Sequence, residues 1–261
     1  MLYHLQPNNF WINDLNEELI NSYRSLNRDY AKVKAFLDDF KKSHDEKFYK
    51  EMRLTRFNNK YKRAARLIYL NKTCFNGIYR VNKNNEFNVP WNKITKEKLV
   101  LYDEQNLINI QSFFKQSKSK FTSKDYQTVL EKTTKNDFVF IDPPYDYELN
   151  NKTGFQSYTK EGFGKYSQML LANWLKQLTA RGIKWMLTNH NTELINSLYK
   201  EFKIIPITTN RSINSIGEQR KGTGKEVVII NYEPSTGTIL ENNIYNKQYI
   251  KWLNRCSKNN F

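Results

Sequence analysis

The stretch Phe138-Val139-Phe140-Ile141-Asp142-Pro143-Pro144-Tyr145 decides the fold. Its first four residues are two aromatic and two β-branched side chains, a run that predicts a short buried strand. The prolines end this strand, because proline lacks a backbone donor and has a fixed φ. A carboxylate therefore stands at the carboxyl end of a strand, which is where open α/β sheets bind their ligands.

The segments around this strand alternate between strand and helix patterns. Upstream, Phe10-Trp11-Ile12 predicts a strand, and Asn16 can cap the helix that follows. Downstream, the patterns predict helices at about 165–181 and 192–201 and strands at 183–188, 202–208 and 227–232. Such alternation favours the α/β class, with an open, mostly parallel sheet covered on both faces.

A helical and hairpin stretch interrupts this alternation. Residues 30–73 are helical and basic in pattern, and 104–117 predicts an amphipathic helix. Between them, two short runs flank Asn82-Lys83-Asn84-Asn85, and because Asn tolerates positive φ we expect a β-hairpin with a polar tip. We therefore divide the chain into a first domain formed by 1–52 and 118–235, an inserted second domain at 53–117, and a tail at 236–261.

The charge of the chain favours a polyanionic partner. Lys and Arg outnumber Asp and Glu by 42 to 26, a net charge of +16, and each phosphate that a protein neutralises releases counterions. The alternative is a basic surface that only keeps the chain soluble. An anionic membrane fits less well, because we find no basic amphipathic helix and no apolar run of about 18 residues.

Metal and disulfide chemistry find little support in the sequence. Cys74 and Cys256 lie far apart, and the three histidines are scattered. A zinc site or a disulfide framework is therefore not expected, and we predict a cytoplasmic protein with reduced thiols.

The tetrad Asp142-Pro143-Pro144-Tyr145 fits methylation of an amino group on a planar base. That nitrogen is a poor nucleophile, because its lone pair is delocalised into the ring, so it must become more tetrahedral. The Asp142 carboxylate and the Pro143 carbonyl can each accept one N–H, which favours the pyramidal nitrogen of the transition state. Tyr145 can stack on the base. The alternatives are a strand-ending turn with a packed tyrosine and a metal-binding carboxylate, although no second carboxylate or histidine converges nearby in sequence.

Two further acidic residues follow strand-like or short segments. Asp14 can bind the hydroxyls of a ribose from the end of a strand, and Asp125 with Tyr126 can hold the adenine of a cofactor. The alternative for both aspartates is a helix cap.

The basic segments offer contacts to nucleic acid. In the hairpin, Arg80 can read guanine, and Asn76 and Asn82, beside Lys83, can read adenine in a major groove. The alternative is a solvated hairpin tip. The segment 211–225 carries basic residues suited to phosphate contacts, which position the protein but do not specify a sequence.

Taken together, these residues resemble the Dam-type, D12 class adenine-specific DNA methyltransferases over about residues 5–233. Residues 12–20 resemble the second motif of that family, and Asp142-Pro143-Pro144-Tyr145 its catalytic motif. Residues 71–77, 79–82 and 86–90 resemble its target-recognition hairpin. The family's closing segment resembles Arg211-Ser-Ile-Asn214 with Glu226 and Asn231-Tyr232.

The resemblance implies a Rossmann-like methyltransferase sheet with an inserted target-recognition domain. It implies transfer of a methyl group from S-adenosylmethionine to the amino nitrogen of a flipped adenine in double-stranded DNA, within a GATC-like site. Asp14 and Leu15 would then bind the cofactor ribose, Asp125 and Tyr126 its adenine, and Asp142 would contact both cofactor and base. The implied DNA contacts are Asn76, Arg80, Asn82, Lys83, Asn88, Arg211, Asn214 and Arg220. We expect a monomer and leave open a restriction endonuclease of the same system as a partner.

One departure from the family pattern concerns cofactor binding. The family carries a Lys-containing segment and a Phe-x-Gly-x-Gly-type loop before its second motif, whereas all nine glycines here lie at Gly77 or beyond. We therefore expect impaired cofactor binding by this chain alone. The alternative function is a DNA-binding remnant or one half of a split methyltransferase. An amino-cytosine methyltransferase shares the chemistry, but its tetrad more often begins with Ser.

Overall fold

The computed structural model describes residues 2–82, 84, 86–146, 163–210 and 223–234. They form a mixed α/β protein with two compact units: an N-terminal unit that ends at Val129 and a C-terminal unit that begins at Leu130. Within the described residues, no helix is both long enough and apolar enough to cross a membrane.

The N-terminal unit is mainly helical. Asx caps begin its main helices, because Asn16, Asp45, Asn59 and Asp103 each accept hydrogen bonds from backbone N–H groups of the first helical turn. Its elements are α1 (Leu2–Leu5), β1 (Asn9–Asn13), α2 (Glu17–Lys42), α3 (Glu46–Leu54), α4 (Lys60–Thr73), a 3-10 turn (Phe75–Gly77), α5 (Glu104–Gln116), β2 (Lys118–Thr122) and α6 (Tyr126–Leu130).

A helical core supports the hairpin region of this unit. Leu37 on α2 and Leu70 on α4 are fully buried in one apolar cluster, and Phe87 and Val89 of the hairpin region belong to the same cluster. The guanidinium of Arg66 donates to the backbone oxygens of Met52 and Arg53 at the end of α3. The hairpin region is therefore fixed to the helices by apolar burial rather than by a sheet of its own.

A two-stranded parallel sheet forms from β1 and β2, with Asn9 opposite Lys118 and Asn13 opposite Thr122. Phe10 and Phe121 hold it to α5, where their rings contact those of Phe113 and Phe114 at centroid distances of 5.0 to 5.6 Å. The sequence patterns assigned no strand to 118–122.

The elements of the C-terminal unit are β3 (Phe138–Ile141), α7 (Lys165–Ala180), β4 (Lys184–His190), α8 (Glu193–Leu198), β5 (Lys203–Asn210) and β6 (Thr223–Ile230). Its described strands form a four-stranded sheet in the order β3-β4-β6-β5. The turn that leads from α7 into β4 is a Schellman motif: the backbone N–H of Gly182, with φ of +72°, donates to Thr179 O, and that of Ile183 donates to Leu178 O.

The structure confirms the α/β class and most element positions but corrects the sheet. The described strands form two sheets with two parallel pairings, β1 with β2 and β3 with β4, and two antiparallel pairings, β4 with β6 and β6 with β5. The expectation of a mostly parallel sheet is therefore wrong for these residues. The physical reason is that β6 folds back between β4 and β5, where its Val227 and Ile229 are fully buried.

The strand before the tetrad is also less buried than predicted. Phe138 and Phe140 are 45% and 41% exposed, whereas Val139 and Ile141 on the other face are half-buried. Among the described strands, β3 lies at one edge of its sheet. Alternate side chains of a strand point to opposite faces, so Phe138 and Phe140 share its more exposed face.

Candidate active site and nucleic-acid interface

Asp142 stands at the carboxyl end of β3 and is held by the neighbouring strand. Because Ile141 pairs with Leu187 in parallel register, the next residues face each other, and Thr188 Oγ1 donates to Asp142 Oδ1 at 2.6 Å. The residue is exposed at the strand end, yet protein atoms crowd its carboxylate. This desolvation raises the pKa of Asp142, and the negative charge of Glu226 adds to the effect. Hydrogen bonds from Thr188 and Tyr145 oppose this increase.

The backbone after Asp142 is anchored by two buried amides. Gln168 Nε2 donates to the Pro144 carbonyl at 2.9 Å, and Asn189 Oδ1 accepts from the backbone N–H of Asp146 at 2.9 Å. Asn189 Nδ2 also donates to Gln168 Oε1 at 3.3 Å. Both amide side chains have an exposed fraction of 0%, so the loop is held from within the protein rather than by water.

Tyr145 presents a neutral aromatic ring beside the carboxylate. Burial, together with the charge of Asp142, raises the pKa of Tyr145, so its hydroxyl keeps its proton. The ring meets His190 edge to face at a centroid distance of 5.0 Å. His190 Nδ1 lies 2.6 Å from the Asp146 carbonyl, which can only accept, so Nδ1 carries the proton. Thr192 Oγ1 completes the loop by donating to Asp146 Oδ2 at 2.6 Å.

The two segments of the N-terminal unit that carry the cofactor candidates follow the carboxyl ends of β1 and β2. Parallel strands end on the same side, and Asp14 N donates to Thr122 O at 3.2 Å directly after β1 and β2. Ser123 Oγ donates to Leu15 O at 2.9 Å, and Leu15 itself is 56% exposed. The structure thus brings the Asp14 segment beside the segment that leads to Asp125.

Asp125 acts locally as the cap alternative predicts, whereas α2 is capped by Asn16 and Asp14 forms a turn before that helix. Asp14 Oδ1 accepts from Asn16 N at 2.7 Å, and Asp125 Oδ1 accepts from Gln127 N at 2.8 Å. Each carboxylate can accept several hydrogen bonds, so these local bonds and ligand binding are compatible. Burial, with the charge of Asp125, raises the pKa of Tyr126 to about 12, so this tyrosine is also neutral.

The hairpin forms, but as isolated bridges rather than extended strands. Val81 pairs with Phe87 and Cys74 with Trp91 in antiparallel fashion. The tip closes on Asn82, whose side-chain oxygen accepts from the backbone N–H groups of Asn84 and Glu86. These side-chain bonds add to the backbone bonds from Asn82 N to Glu86 O and from Asn88 N to Arg80 O.

Two of the predicted DNA-contacting residues of the hairpin, Arg80 and Asn88, bond to each other, and a third, Asn82, bonds to Glu86. Arg80 Nε donates to Asn88 Oδ1 at 2.7 Å, and a terminal nitrogen of Arg80 donates to Asn88 O at 3.1 Å. Asn82 Nδ2 donates to Glu86 Oε2 at 2.8 Å. Asn76 lies in the left-handed region with φ of +56°, in the turn that leads into the hairpin. Lys83, Arg211, Asn214 and Arg220 lie outside the described residues.

Several contributing residues escaped the sequence patterns. Arg53 Nε donates to Phe87 O at 3.1 Å, and Arg56 donates to Asn84 O at 3.3 Å, which links the hairpin to the end of α3 and the turn after it. Thr188, Asn189 and Gln168 support the tetrad. The available signal was the polar run Thr188-Asn189-His190 at the carboxyl end of the strand next to β3. Within the described part of the chain, no three His, Cys, Asp or Glu side chains could together hold a metal ion.

Comparison with known proteins identifies the family to which this chain belongs. The profile of the D12 class N6 adenine-specific DNA methyltransferases matches residues 1–213. The chain belongs to this family of adenine-specific DNA methyltransferases.

Individual relatives agree with this assignment. The chain is 38% identical over 234 residues to the type II methyltransferase M.MjaIII of Methanocaldococcus jannaschii, covering 85% of this chain and 79% of the relative. It is 32% identical over 238 residues to the type II methyltransferase M1.LlaDCHI of Lactococcus lactis subsp. cremoris, covering 89% and 82%. It is 28% identical over 228 residues to a DNA adenine methylase of Haemophilus influenzae, covering 83% and 76%.

Proposed function

We propose that this enzyme methylates the exocyclic amino nitrogen of adenine in double-stranded DNA, with S-adenosylmethionine as donor and within a GATC-like site. The observation that carries the proposal is the anchored carboxylate of Asp142, which follows β3, accepts from Thr188 and precedes a loop held at the Pro144 carbonyl. A carboxylate and a proline carbonyl next to each other in sequence form a pair of acceptors, which is what a two-proton amino group requires.

The proposed roles follow from acceptor chemistry. Asp142 and the Pro143 carbonyl each accept one N–H of the adenine amino group, which turns its lone pair out of the ring and makes the nitrogen nucleophilic. Pro144 fixes the turn that presents these acceptors. Tyr145 stacks on the base, and its neutral hydroxyl adds no charge. The target must leave the duplex stack to reach these groups.

The cofactor site that we propose lies at the carboxyl ends of β1 and β2. S-adenosylmethionine, when bound, supplies an activated methyl group on a positively charged sulfur. The residues present fit this ligand, because the carboxylates of Asp14 and Asp125 can accept hydrogen bonds from the hydroxyl and amino groups of a nucleoside. In this proposal Asp14 and Leu15 hold the ribose, and Asp125 and Tyr126 hold the adenine.

The proposed DNA-reading element is the hairpin, which lies within an inserted target-recognition domain at 53–117. The proposed methyltransferase domain is Rossmann-like and has two parts, 1–52 and 118–235. Arg80 is proposed to read guanine, because Asn88 orients its guanidinium by two hydrogen bonds. The other proposed DNA contacts are Asn76, Asn82, Lys83, Asn88, Arg211, Asn214 and Arg220. The net charge of +16 supports binding to a polyanion.

We propose a cytoplasmic monomer that acts in restriction–modification with an endonuclease of the same site specificity as its partner. The type II names of two relatives support this biological role.

Methyl transfer to unmethylated plasmid DNA from labelled S-adenosylmethionine tests the proposal. Asp142→Ala removes one acceptor and should lower the single-turnover rate by at least about 100-fold, the usual cost of one lost transition-state hydrogen bond. Asp137→Ala is the matched control, because Asp137 is exposed and lies just before the opposite end of β3. Salt-sensitive DNA binding by the wild-type chain without any incorporation would overturn the proposed catalysis and leave a DNA-binding protein.

A further inference from the structure

Two buried amide side chains lie behind the tetrad and have no part in the proposed chemistry. Gln168 is on α7 and Asn189 on β4, and both are fully buried. Burial of an amide is unfavourable unless its groups are hydrogen bonded. The partners of these two side chains therefore indicate what the side chains do.

The donor and the acceptor can be assigned for each hydrogen bond that joins these two amides to the loop and to each other. Gln168 Nε2 must donate to Pro144 O, because a carbonyl only accepts, and Asn189 Oδ1 must accept from Asp146 N, because an N–H only donates. The remaining groups then match, with Asn189 Nδ2 donating to Gln168 Oε1. The pair thus connects the peptide group before Tyr145 with the peptide group after it.

We infer that Gln168 and Asn189, called here the amide splint, are positioning residues that fix the backbone of the catalytic tetrad. Pro143 and Pro144 have no N–H groups, so this part of the loop has no backbone donor of its own and takes its support from side chains. Asn189 Oδ1 also accepts from His190 N at 2.8 Å, and the His190 ring packs against Tyr145. The amide splint therefore reaches both the carbonyl side and the ring side of the tetrad.

The inference rests on the proposed function, because it assigns the amide splint to the same site. A purely structural role would lower the stability of the protein and leave the folded molecules equally active. A positioning role lowers the rate of methyl transfer while DNA binding is unchanged, because a displacement of about 1 Å at a reacting group costs up to roughly 100-fold in rate.

Gln168→Met tests the amide splint, because methionine nearly matches the volume of glutamine and cannot hydrogen bond to Pro144 O. Gln177→Met is the matched control, since Gln177 is exposed on the same helix. We expect Gln168→Met to lower the single-turnover rate roughly 10- to 100-fold, with the Kd for DNA unchanged within about twofold. Hydrogen exchange of the Asp146 amide, followed by NMR, should accelerate in Gln168→Met and remain as in the wild type in Gln177→Met.

The outcomes separate this inference from the proposed function. A wild-type rate in Gln168→Met, or an Asp146 amide that exchanges as in the wild type, overturns the amide splint. If the wild-type protein transfers no methyl group, the proposed function fails, and the Asp146 exchange rate alone decides for or against the amide splint. Should Gln168→Met not fold, Gln168→Ala gives a second test with the same expected results, because it also removes the donor to Pro144 O and adds no polar group of its own.

Discussion

The hydroxyl of Thr188 provides a quantitative test of how Asp142 is tuned. Thr188→Val keeps the shape of the side chain and removes the donor that lies 2.6 Å from Asp142 Oδ1. A hydrogen bond to a charged group contributes about 1.5–3 kcal/mol, and we take the lower end because water can reach the exposed Asp142. Because one pKa unit corresponds to about 1.4 kcal/mol, losing the bond should raise the pKa of Asp142 by about one further unit.

The pH dependence of kcat/KM for unmethylated DNA measures this shift, since it reports the ionisable groups of the free enzyme. The ionised carboxylate is the stronger acceptor, so activity is present above the pKa of Asp142 and is lost as the pH falls through it. That pKa already lies above the ordinary value, because protein atoms crowd the carboxylate and Glu226 adds negative charge. Thr188→Val should therefore move the acidic limb of the profile to higher pH by about one unit.

Thr188→Ser is the control, because it restores the hydroxyl and should return the acidic limb towards its wild-type position. A Thr188→Val profile whose acidic limb coincides with that of the wild type, or moves to lower pH, would refute the reasoning. The contribution of Asp142 to stability depends on pH in the opposite direction to activity. With its folded-state pKa raised, Asp142 contributes stability that is fully present below its ordinary pKa and is lost as the pH rises through the folded-state value.

Three further predictions concern the N-terminal unit. Arg80→Met should reduce discrimination at one base pair by about 1–3 kcal/mol, measured as the ratio of kcat/KM on the cognate duplex to that on singly substituted duplexes. An equal loss of activity on all duplexes would contradict base reading by Arg80. Cys74 is 1% exposed, and burial raises the pKa of its thiol to about 11. Iodoacetamide at neutral pH should therefore label Cys74 roughly 100-fold more slowly than an exposed thiol. Prompt labelling of the native protein, detected by peptide mass spectrometry, would contradict this. Leu37→Ala should lower the free energy of unfolding in urea by about 2–5 kcal/mol, because Leu37 is fully buried in the helical core. The control Leu54→Ala, at a side chain that is 69% exposed, should change it by less than about 0.5 kcal/mol, and equal effects of the two substitutions would contradict the assigned core.

The elements that the sequence predicted well depend on local physics. Asn16 caps α2 as expected, and the apolar spacing of α5 buries Leu107, Phe113 and Phe114. Capping and periodicity act within a few residues, so the sequence alone contains the necessary information.

The elements that the sequence did not predict depend on pairing between distant segments. β2 reads Lys-Ser-Lys-Phe-Thr and buries only Phe121, so its strand character comes from pairing with β1 more than 100 positions earlier. Likewise, β6 pairs antiparallel with β4, with Leu187 opposite Ile229, and these two residues are far apart in the sequence. Local patterns do not encode either partner.

The candidate site shows the same division. The tetrad 142–145 is contiguous, and its place after an apolar run was visible in the sequence. Gln168 and Asn189 contact the tetrad loop from 24 and 43 positions away, so only the fold shows their role. The cofactor and DNA contacts at Asp14, Asp125 and Arg80 stay predictions that rest on the resemblance and on the placement of their side chains.

Identification of the methylated nucleoside by mass spectrometry tests the central claim most directly. Unmethylated plasmid DNA would be incubated with S-adenosylmethionine and the wild-type chain, Asp142→Ala or Asp137→Ala, and then digested to nucleosides. The account predicts N6-methyladenine from the wild type and from Asp137→Ala and little or none from Asp142→Ala. Methylated cytosine in place of adenine, or equal N6-methyladenine from Asp142→Ala and the wild type, would contradict it.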